Sequence, residues 1–478
     1  MKTLQTDVAV IGAGSAGMTA YAAARKAGAR VLLIEDGAYG TTCIRVGCMP
    51  SKLLISAGEV AQAARYADRF GIQVGPVTVD GRAVMARVRR EREHFLGYVL
   101  RRIDAMPAAD RIRGHARFIG PHTLQVDDAL RIEARAVVLA TGSEPHLPEA
   151  YRGLGERAIS SDAIFEWETL PGSVVVVGPG IIGLELGQAL AHLGVRVLML
   201  GRGGRVGPIT DPAVRERAIE LFNRDFQLLP AGMPGEARLE NGKVRIEYVD
   251  GAGSRQSGHF DYLLSATGRR PRLQGLALQH AGVSVDAHGK PQFDPATLQC
   301  RCDGSASPVF IAGDANEQRP LLHEAIDDGR IAGANAARLA LGGEPSAPAR
   351  RAPLVVVFSD PQIAIVGGGY RAHQASAPAV GEVSFSNQGR ARIMGANAGL
   401  LRVYGDPASG RFLGAEMLGP RAEHIGHLLA WALQCQLSVA GMLDMPFYHP
   451  VVEEGLRTAL QDLQRNLQNA RLQQTAAS

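Results

Sequence analysis

One local pattern occurs twice in this chain, and it restricts the possible folds more than any other feature. Residues Asp7 to Glu35 read as a strand (Val8 to Ile11), the loop Gly12-Ala13-Gly14-Ser15-Ala16-Gly17, an alanine-rich helix, and a second strand (Arg30 to Ile34) that ends in an acid. In such a unit the first glycine permits the tight turn, the second lets a pyrophosphate approach the backbone, and the third lets helix pack on strand. The pattern recurs as a strand (Val174 to Val177), the loop Gly178-Pro179-Gly180-Ile181-Ile182-Gly183, a helix (Leu184 to Leu193) and a strand (Val195 to Leu200). A lone glycine loop is a weak signal, but two complete strand-loop-helix-strand units are a strong one. The expectation is an α/β fold with two Rossmann-like dinucleotide-binding domains, and hence two dinucleotides.

The two units differ at one position. In the first, Glu35 stands at the end of the second strand, where an acid accepts the ribose hydroxyls. The same step from Gly178 arrives at Gly201, followed by Arg202 and Arg205, and no acid is present. An acid there holds a free 2′-hydroxyl and repels a 2′-phosphate, whereas arginine accommodates the phosphate. The second site therefore leans toward NADP(H), unless Arg202 and Arg205 simply point into water.

Further landmarks set the domain expectations. The apolar runs Val137 to Ala140 and Leu263 to Ala266 each end in a Thr-Gly turn, at Thr141-Gly142 and Thr267-Gly268, so the two nucleotide domains look alike. Phe310 to Asp314 is another short strand, closing on an aspartate that could bind a cofactor hydroxyl. Gly342 to Pro348 is a linker by its glycine and proline content. The predicted boundaries are 1–147 and 272–345 for a first domain in two parts, 148–271 for the second, and 346–478 for a separate C-terminal α/β domain with a C-terminal helical tail. Leu456, Leu460, Leu463 and Leu467 recur at helical spacing near the end, and the Gln-rich tail beyond them is expected to fray.

Composition excludes several classes. A chain of 478 residues with 46% hydrophobic residues, Gly 57 and Pro 26 is a turn-rich globular protein of several domains. Aromatic residues at 5% are too sparse for a single-strand stacking platform, and a net charge of +4 is mild, so no nucleic-acid partner is expected. The segment Arg87 to Arg102, which contains Glu91 and Glu93, reads as a solvated helix. No membrane span or secretory segment is expected, because Asp7 precedes the first apolar run and glycines end it. The expected location is the cytoplasm.

Five cysteines are too few for a disulfide-stapled scaffold, so the close pair Cys43 and Cys48 reads as redox or metal chemistry. Cys300, Cys302 and Cys435 do not complete a zinc pattern, and no metal is expected.

Taken together, GTTCIRVGCMPSK around the cysteine pair, the two glycine loops, ATGRRP at 266–271, AGDA at 312–315 and YHPVVEE at 448–454 resemble the FAD-dependent pyridine nucleotide-disulfide oxidoreductases. The match covers nearly the whole chain. It implies that the first unit binds FAD through Gly12, Gly14, Gly17, Glu35, Thr141, Gly142 and Asp314, with His323 near the flavin. The second unit would bind NAD(P) through Gly178, Gly180, Gly183, Arg202, Arg205 and Gly268. The C-terminal domain would form a homodimer. By the resemblance, Cys48 is the charge-transfer thiol and Cys43 the interchange thiol, and Lys52 sits by the flavin, paired with Glu185. His449 would be the base, oriented by Glu454 and reaching the disulfide of the opposite subunit.

Within the family, Ile181 and Gly183 favour the lipoamide-dehydrogenase branch, whereas glutathione reductases carry tyrosine and alanine there. The tail QQTAAS lacks the vicinal cysteines of mercuric reductases, and His449, which those enzymes lack, is present; Cys43, missing from soluble transhydrogenases, is present too. Two departures stand against a plain lipoamide enzyme: Gly201, and Arg45 in place of the usual asparagine. Arg45 could depress a thiol pKa, receive an acidic substrate, or face solvent. The expected activity is electron exchange between a dithiol or disulfide substrate, dihydrolipoamide first, and NAD(P), with a lipoyl domain of a 2-oxoacid dehydrogenase complex as a possible partner. The alternatives are an NADPH-dependent reductase of another small disulfide and a non-catalytic assembly subunit of a multienzyme complex.

Overall fold

The structure, a computed structural model, describes residues 2–477, with side chains through residue 472. Two compact units divide the chain: Met1–Pro50, Arg90–His146 and Arg269–Arg350 form one, and Ser51–Arg89, Leu147–Gly268 and Arg351–Ser478 form the other.

In the first unit, the strand Lys2–Ile11 lies between Leu130–Leu139 and Val31–Glu35 in a mostly parallel sheet that continues to Ser305–Ile311 on one side and Arg111–Arg113 on the other. Val8 pairs with Val31 and with Ala136, all three fully or nearly buried, as a parallel strand covered on both faces requires. The strand is longer than its apolar run suggests. Residues Lys2 to Thr6 also pair, with Leu130 to Ala134, because backbone pairing does not need buried side chains.

Two helices of this unit meet backbone to backbone. Ser15–Lys26, which follows the first glycine loop, lies against Leu322–Ala340. A Cβ on Gly329 would stand 2.2 Å from the Ala16 carbonyl oxygen, and one on Gly333 would stand 2.3 Å from that of Ala20. Only residues without side chains permit this approach.

The second unit contains a parallel sheet ordered Gln227–Leu229, Arg196–Leu200, Ser173–Val177, Tyr262–Ser265, Ala158–Ser160, and a three-stranded antiparallel sheet built from residues 233–260. It also contains the antiparallel sheet Leu354–Val357, Gln362–Val366, Phe412–Gly419, Leu400–Gly405, Ala379–Ser384. The helices Ala422–Gln434 and Glu453–Ala477 pack on this last sheet, and Leu456, Leu460, Leu463 and Leu467 are all buried, as their spacing predicts. The last helix continues to Ala477 through a stretch from Gln468 that holds neither glycine nor proline.

Two buried carboxylates join the nucleotide part of this unit to its C-terminal sheet. Asp211 caps the helix Pro212–Phe222, accepting from the Ala213 amide at 2.9 Å, and also accepts from the Tyr404 hydroxyl at 2.9 Å and from Arg402 at 3.3 Å. Glu416 accepts from the amides of Thr210, Asp211 and Tyr370 at 2.8–3.0 Å. Burial beside these acids raises the pKa of the Tyr404 hydroxyl, which therefore stays a donor.

Candidate active site

The two glycine loops are built to the same plan. Gly12 has φ +103° and Gly178 has φ +109°, a region that favours glycine, and a Cβ on either would stand 2.3 Å from a carbonyl oxygen, of Ala140 and Ala266 respectively. Likewise, a Cβ on Gly17 would meet the Gly12 oxygen at 1.8 Å, and one on Gly183 the Gly178 oxygen at 2.1 Å. The middle glycines behave differently: around a Cβ on Gly14 or Gly180 nothing lies within 4 Å. The outer glycines hold the turn, and the middle ones leave space at the start of a twelve-residue helix, where backbone amides suit a pyrophosphate.

Around the first loop several polar groups are held by hydrogen bonds. Glu35 accepts from the Ala13 and Gly37 amides, both at 2.7 Å. Asp314 accepts from the Ser143 hydroxyl at 2.8 Å, and Arg269 donates to that hydroxyl at 2.9 Å. The Thr141 hydroxyl is buried without a hydrogen-bond partner, and Gly142 has nothing within 4 Å of a Cβ position, as is true of Gly268 in the second unit. An orphaned donor beside an open glycine loop fits a nucleotide cofactor. His323 lies in the first turn of Leu322–Ala340, more than half exposed, 4.0 Å from Glu324. In the second unit, Arg202 and Arg205 are exposed on the turn after Arg196–Leu200.

The cysteine loop is held by three devices. Thr41 caps the short helix Thr42–Arg45 by accepting from the Ile44 amide at 3.3 Å. Gly47 then lets the chain double back: a Cβ there would stand 3.0 Å from the Cys43 Cα and 2.9 Å from the Thr42 oxygen. Cys43 and Cys48 are close as a result, with Cys48 opening the helix Cys48–Arg65. Finally, the Arg45 guanidinium folds back onto the loop, its Nε donating to the Tyr39 carbonyl at 2.8 Å, in space that a Cβ on Gly40 would invade at 2.9 Å. Of the three readings of Arg45, a side chain facing solvent is the one this geometry disfavours.

One turn beyond Cys48 on the same helix, Lys52 donates to Glu185 at 2.6 Å. Glu185 is buried, accepts from the Phe358 amide at 2.9 Å, and leaves Lys52 4.8 Å from the Phe358 ring centre. His449 and Glu454 form a pair at 3.0 Å, with the carboxylate also accepting from the Val451 amide at 3.2 Å. The histidine ring is 81% exposed, so it is available to a group outside its own surroundings. Sequence reasoning assigned no role to Phe358, Ser143, Gly47, Thr41 or Arg269. Three of them carried a signal, Thr41 and Gly47 within GTTCIRVGCMPSK and Arg269 within ATGRRP. Among the described residues, no group of three or more His, Cys, Asp and Glu side chains could hold a metal, and no helix is long and apolar enough to cross a membrane.

Two dinucleotide folds and one close dithiol define a flavoprotein redox enzyme. The chain belongs to the pyridine nucleotide-disulphide oxidoreductase family: residues 6–329 match that family and residues 354–460 match its dimerisation domain. The family uses FAD and NAD(P). The chain is 32% identical to dihydrolipoyl dehydrogenase 3 of Pseudomonas aeruginosa, over 97% of this chain and 99% of that one. It is 31% identical to dihydrolipoyl dehydrogenase of Thermus scotoductus, over 97% and 98%. A mercuric reductase of Acidithiobacillus ferrooxidans is 30% identical, over 97% of this chain and 83% of its own length. In fold, the chain resembles the Cu(II) complex of the HOCl-induced flavoprotein disulfide reductase RclA from Escherichia coli, with TM-score 0.81, 23% identity, and coverage of 96% and 99%.

Proposed function

We propose that the protein is a homodimeric enzyme that moves two electrons between a dithiol substrate, dihydrolipoamide first, and NAD(P) through Cys43 and Cys48. The observation that carries this reading is the dithiol loop closed by Gly47, with Cys48 at a helix start. In the oxidised enzyme a substrate thiolate attacks the Cys43 sulfur, and Cys48 leaves as a thiolate that the helix amides stabilise. His449, oriented by Glu454, takes the substrate thiol's proton, and it does so across the dimer. The second substrate thiol then displaces Cys43, so the substrate leaves as a disulfide and the enzyme keeps two electrons. FAD, when bound, carries that electron pair to the nicotinamide nucleotide. The open glycine loop, Glu35, Asp314 and the unpartnered Thr141 hydroxyl would hold it. Lys52, fixed by Glu185, which the Phe358 amide holds in turn, would offset negative charge on its ring.

Steady-state oxidation of dihydrolipoamide tests this. Cys48→Ser is expected to lose at least about a thousandfold in kcat, because it removes the leaving thiolate. Turnover at the unaltered rate would overturn the reading. Gly201, Arg202 and Arg45 support a second reading, an NADPH-dependent reductase of another small disulfide. Oxidised glutathione and cystine assayed beside lipoamide separate the two. A non-catalytic assembly role is disfavoured by membership in an enzyme family and by the retained dithiol.

A further inference from the structure

In the first nucleotide unit two groups cooperate to place an acid at the end of the second strand. Glu35 projects toward the glycine loop and accepts from the Ala13 amide at 2.7 Å. Ala13 is the residue between the first two glycines, so the loop itself orients the carboxylate that would read a ribose.

The second unit alters both members of that pair. The residue that corresponds to Ala13 is Pro179, which has no amide hydrogen to donate. Its ring also fills the place of the acid. A Cβ on Gly201 would stand 2.5 Å from Pro179 Cγ, 2.7 Å from Pro179 Cδ and 2.8 Å from the Pro230 carbonyl oxygen. Every L-residue except glycine is therefore shut out of position 201 unless the loop moves. An acid placed there would collide with a rigid ring and with backbone, and would find no loop amide to hold it. The chain then turns through Gly203 and Gly204, with φ +74° and +72°, so that Arg202 and Arg205 stand exposed at either end of that turn.

We propose that Pro179 and Gly201 act as one specificity-determining lock, which closes the second nucleotide site to the acid that selects NADH and leaves Arg202 and Arg205 to bind the 2′-phosphate of NADP(H). The inference rests on the reading that this unit takes the nicotinamide nucleotide. Pro179 is the part that sequence spacing alone does not reveal, since it stands in a loop position with no fixed identity. The lock explains why the missing acid is not an isolated loss: restoring it requires changing the loop as well.

The experiment compares kcat/KM for NADPH and NADH in the holoenzyme with lipoamide as acceptor. The expected wild-type preference is NADPH, and Arg202→Ala is expected to lower kcat/KM for NADPH by about tenfold or more while leaving NADH within about twofold, the signature of one charge-assisted phosphate contact. Gly201→Glu alone is expected to impair both nucleotides. Pro179→Ala/Gly201→Glu, which removes the ring's share of the clash, leaves only the Pro230 oxygen to give way and returns an amide donor, is expected to recover NADH use and reverse the preference by at least about tenfold. A wild-type preference for NADH, an equal effect of Arg202→Ala on both nucleotides, or a Gly201→Glu enzyme that uses NADH well without the Pro179 change would each overturn the lock. Should either glutamate variant fold poorly, thermal stability of Gly201→Ala against Pro179→Ala/Gly201→Ala decides: the double variant is expected to be the more stable, and equal stability would overturn the lock. Failure of both nucleotides to reduce the flavin is a different result: it removes the reading on which the lock rests.

Discussion

Gly47 determines whether the dithiol can take its present geometry, because any side chain there would press on the Cys43 backbone. The cysteines themselves were legible from their isolation in a thiol-poor chain. Their support was not, since the partner of Arg45 is a backbone carbonyl, and a carbonyl leaves no mark in a sequence. The same holds at Glu454, where the spacing to His449 was readable but the Val451 amide was not. The His449 ring, and then that amide, hold the Glu454 carboxyl below its ordinary value of 4.5. A carboxyl with a lower pKa folded than unfolded contributes fully above its ordinary value and loses that contribution as pH falls through the folded one. The pair should accordingly stay intact down to below the usual glutamate range. Glu454→Gln is expected to slow dithiol oxidation by roughly a hundredfold and to remove that acid step from the pH profile of kcat/KM. An unaltered rate and profile in the variant would show that the carboxylate does not orient the base.

At the scale of elements, both strand-loop-helix-strand units were legible because glycine spacing and apolar runs are local signals. The sheet registers match them to within a residue or two at most ends. The extension of the first strand to Lys2 was hidden, since its early residues are exposed and only the backbone pairs. The loops divide their glycines into structural and open positions, and this separates two variants. Gly14→Ala points its methyl into open space at ordinary backbone angles, so thermal stability should change by no more than about 0.5 kcal/mol while FAD content falls. Gly12→Ala adds a left-handed alanine and a clash with the Ala140 oxygen, and soluble folded protein is expected to be lost. Flavin absorbance against circular dichroism distinguishes the two outcomes.

At the scale of the whole molecule, the family's domain set was legible from motif order, whereas the carboxylates Asp211 and Glu416 were not. They are ordinary acids in the sequence, and only the fold buries them against Tyr404, Arg402 and backbone amides. The exposed His449 belongs to this scale as well, because the proposed mechanism places it opposite a dithiol of the partner subunit. Dimers reassembled from equal amounts of Cys48→Ser and His449→Ala chains should recover about a quarter of wild-type turnover, since half the dimers are mixed and each holds one intact site. No recovery despite demonstrated exchange of subunits would place the base and the dithiol within one chain. The contact of Gly329 and Gly333 with Ala16 and Ala20 has a mechanical consequence. The helix behind the pyrophosphate loop and the helix that follows Asp314 are clasped at two points a turn apart, so neither can slide or roll against the other without breaking the clasp. Any larger residue at either glycine would push the two helices apart, so the spacing between the first glycine loop and the segment that carries Asp314 is fixed by two hydrogen atoms.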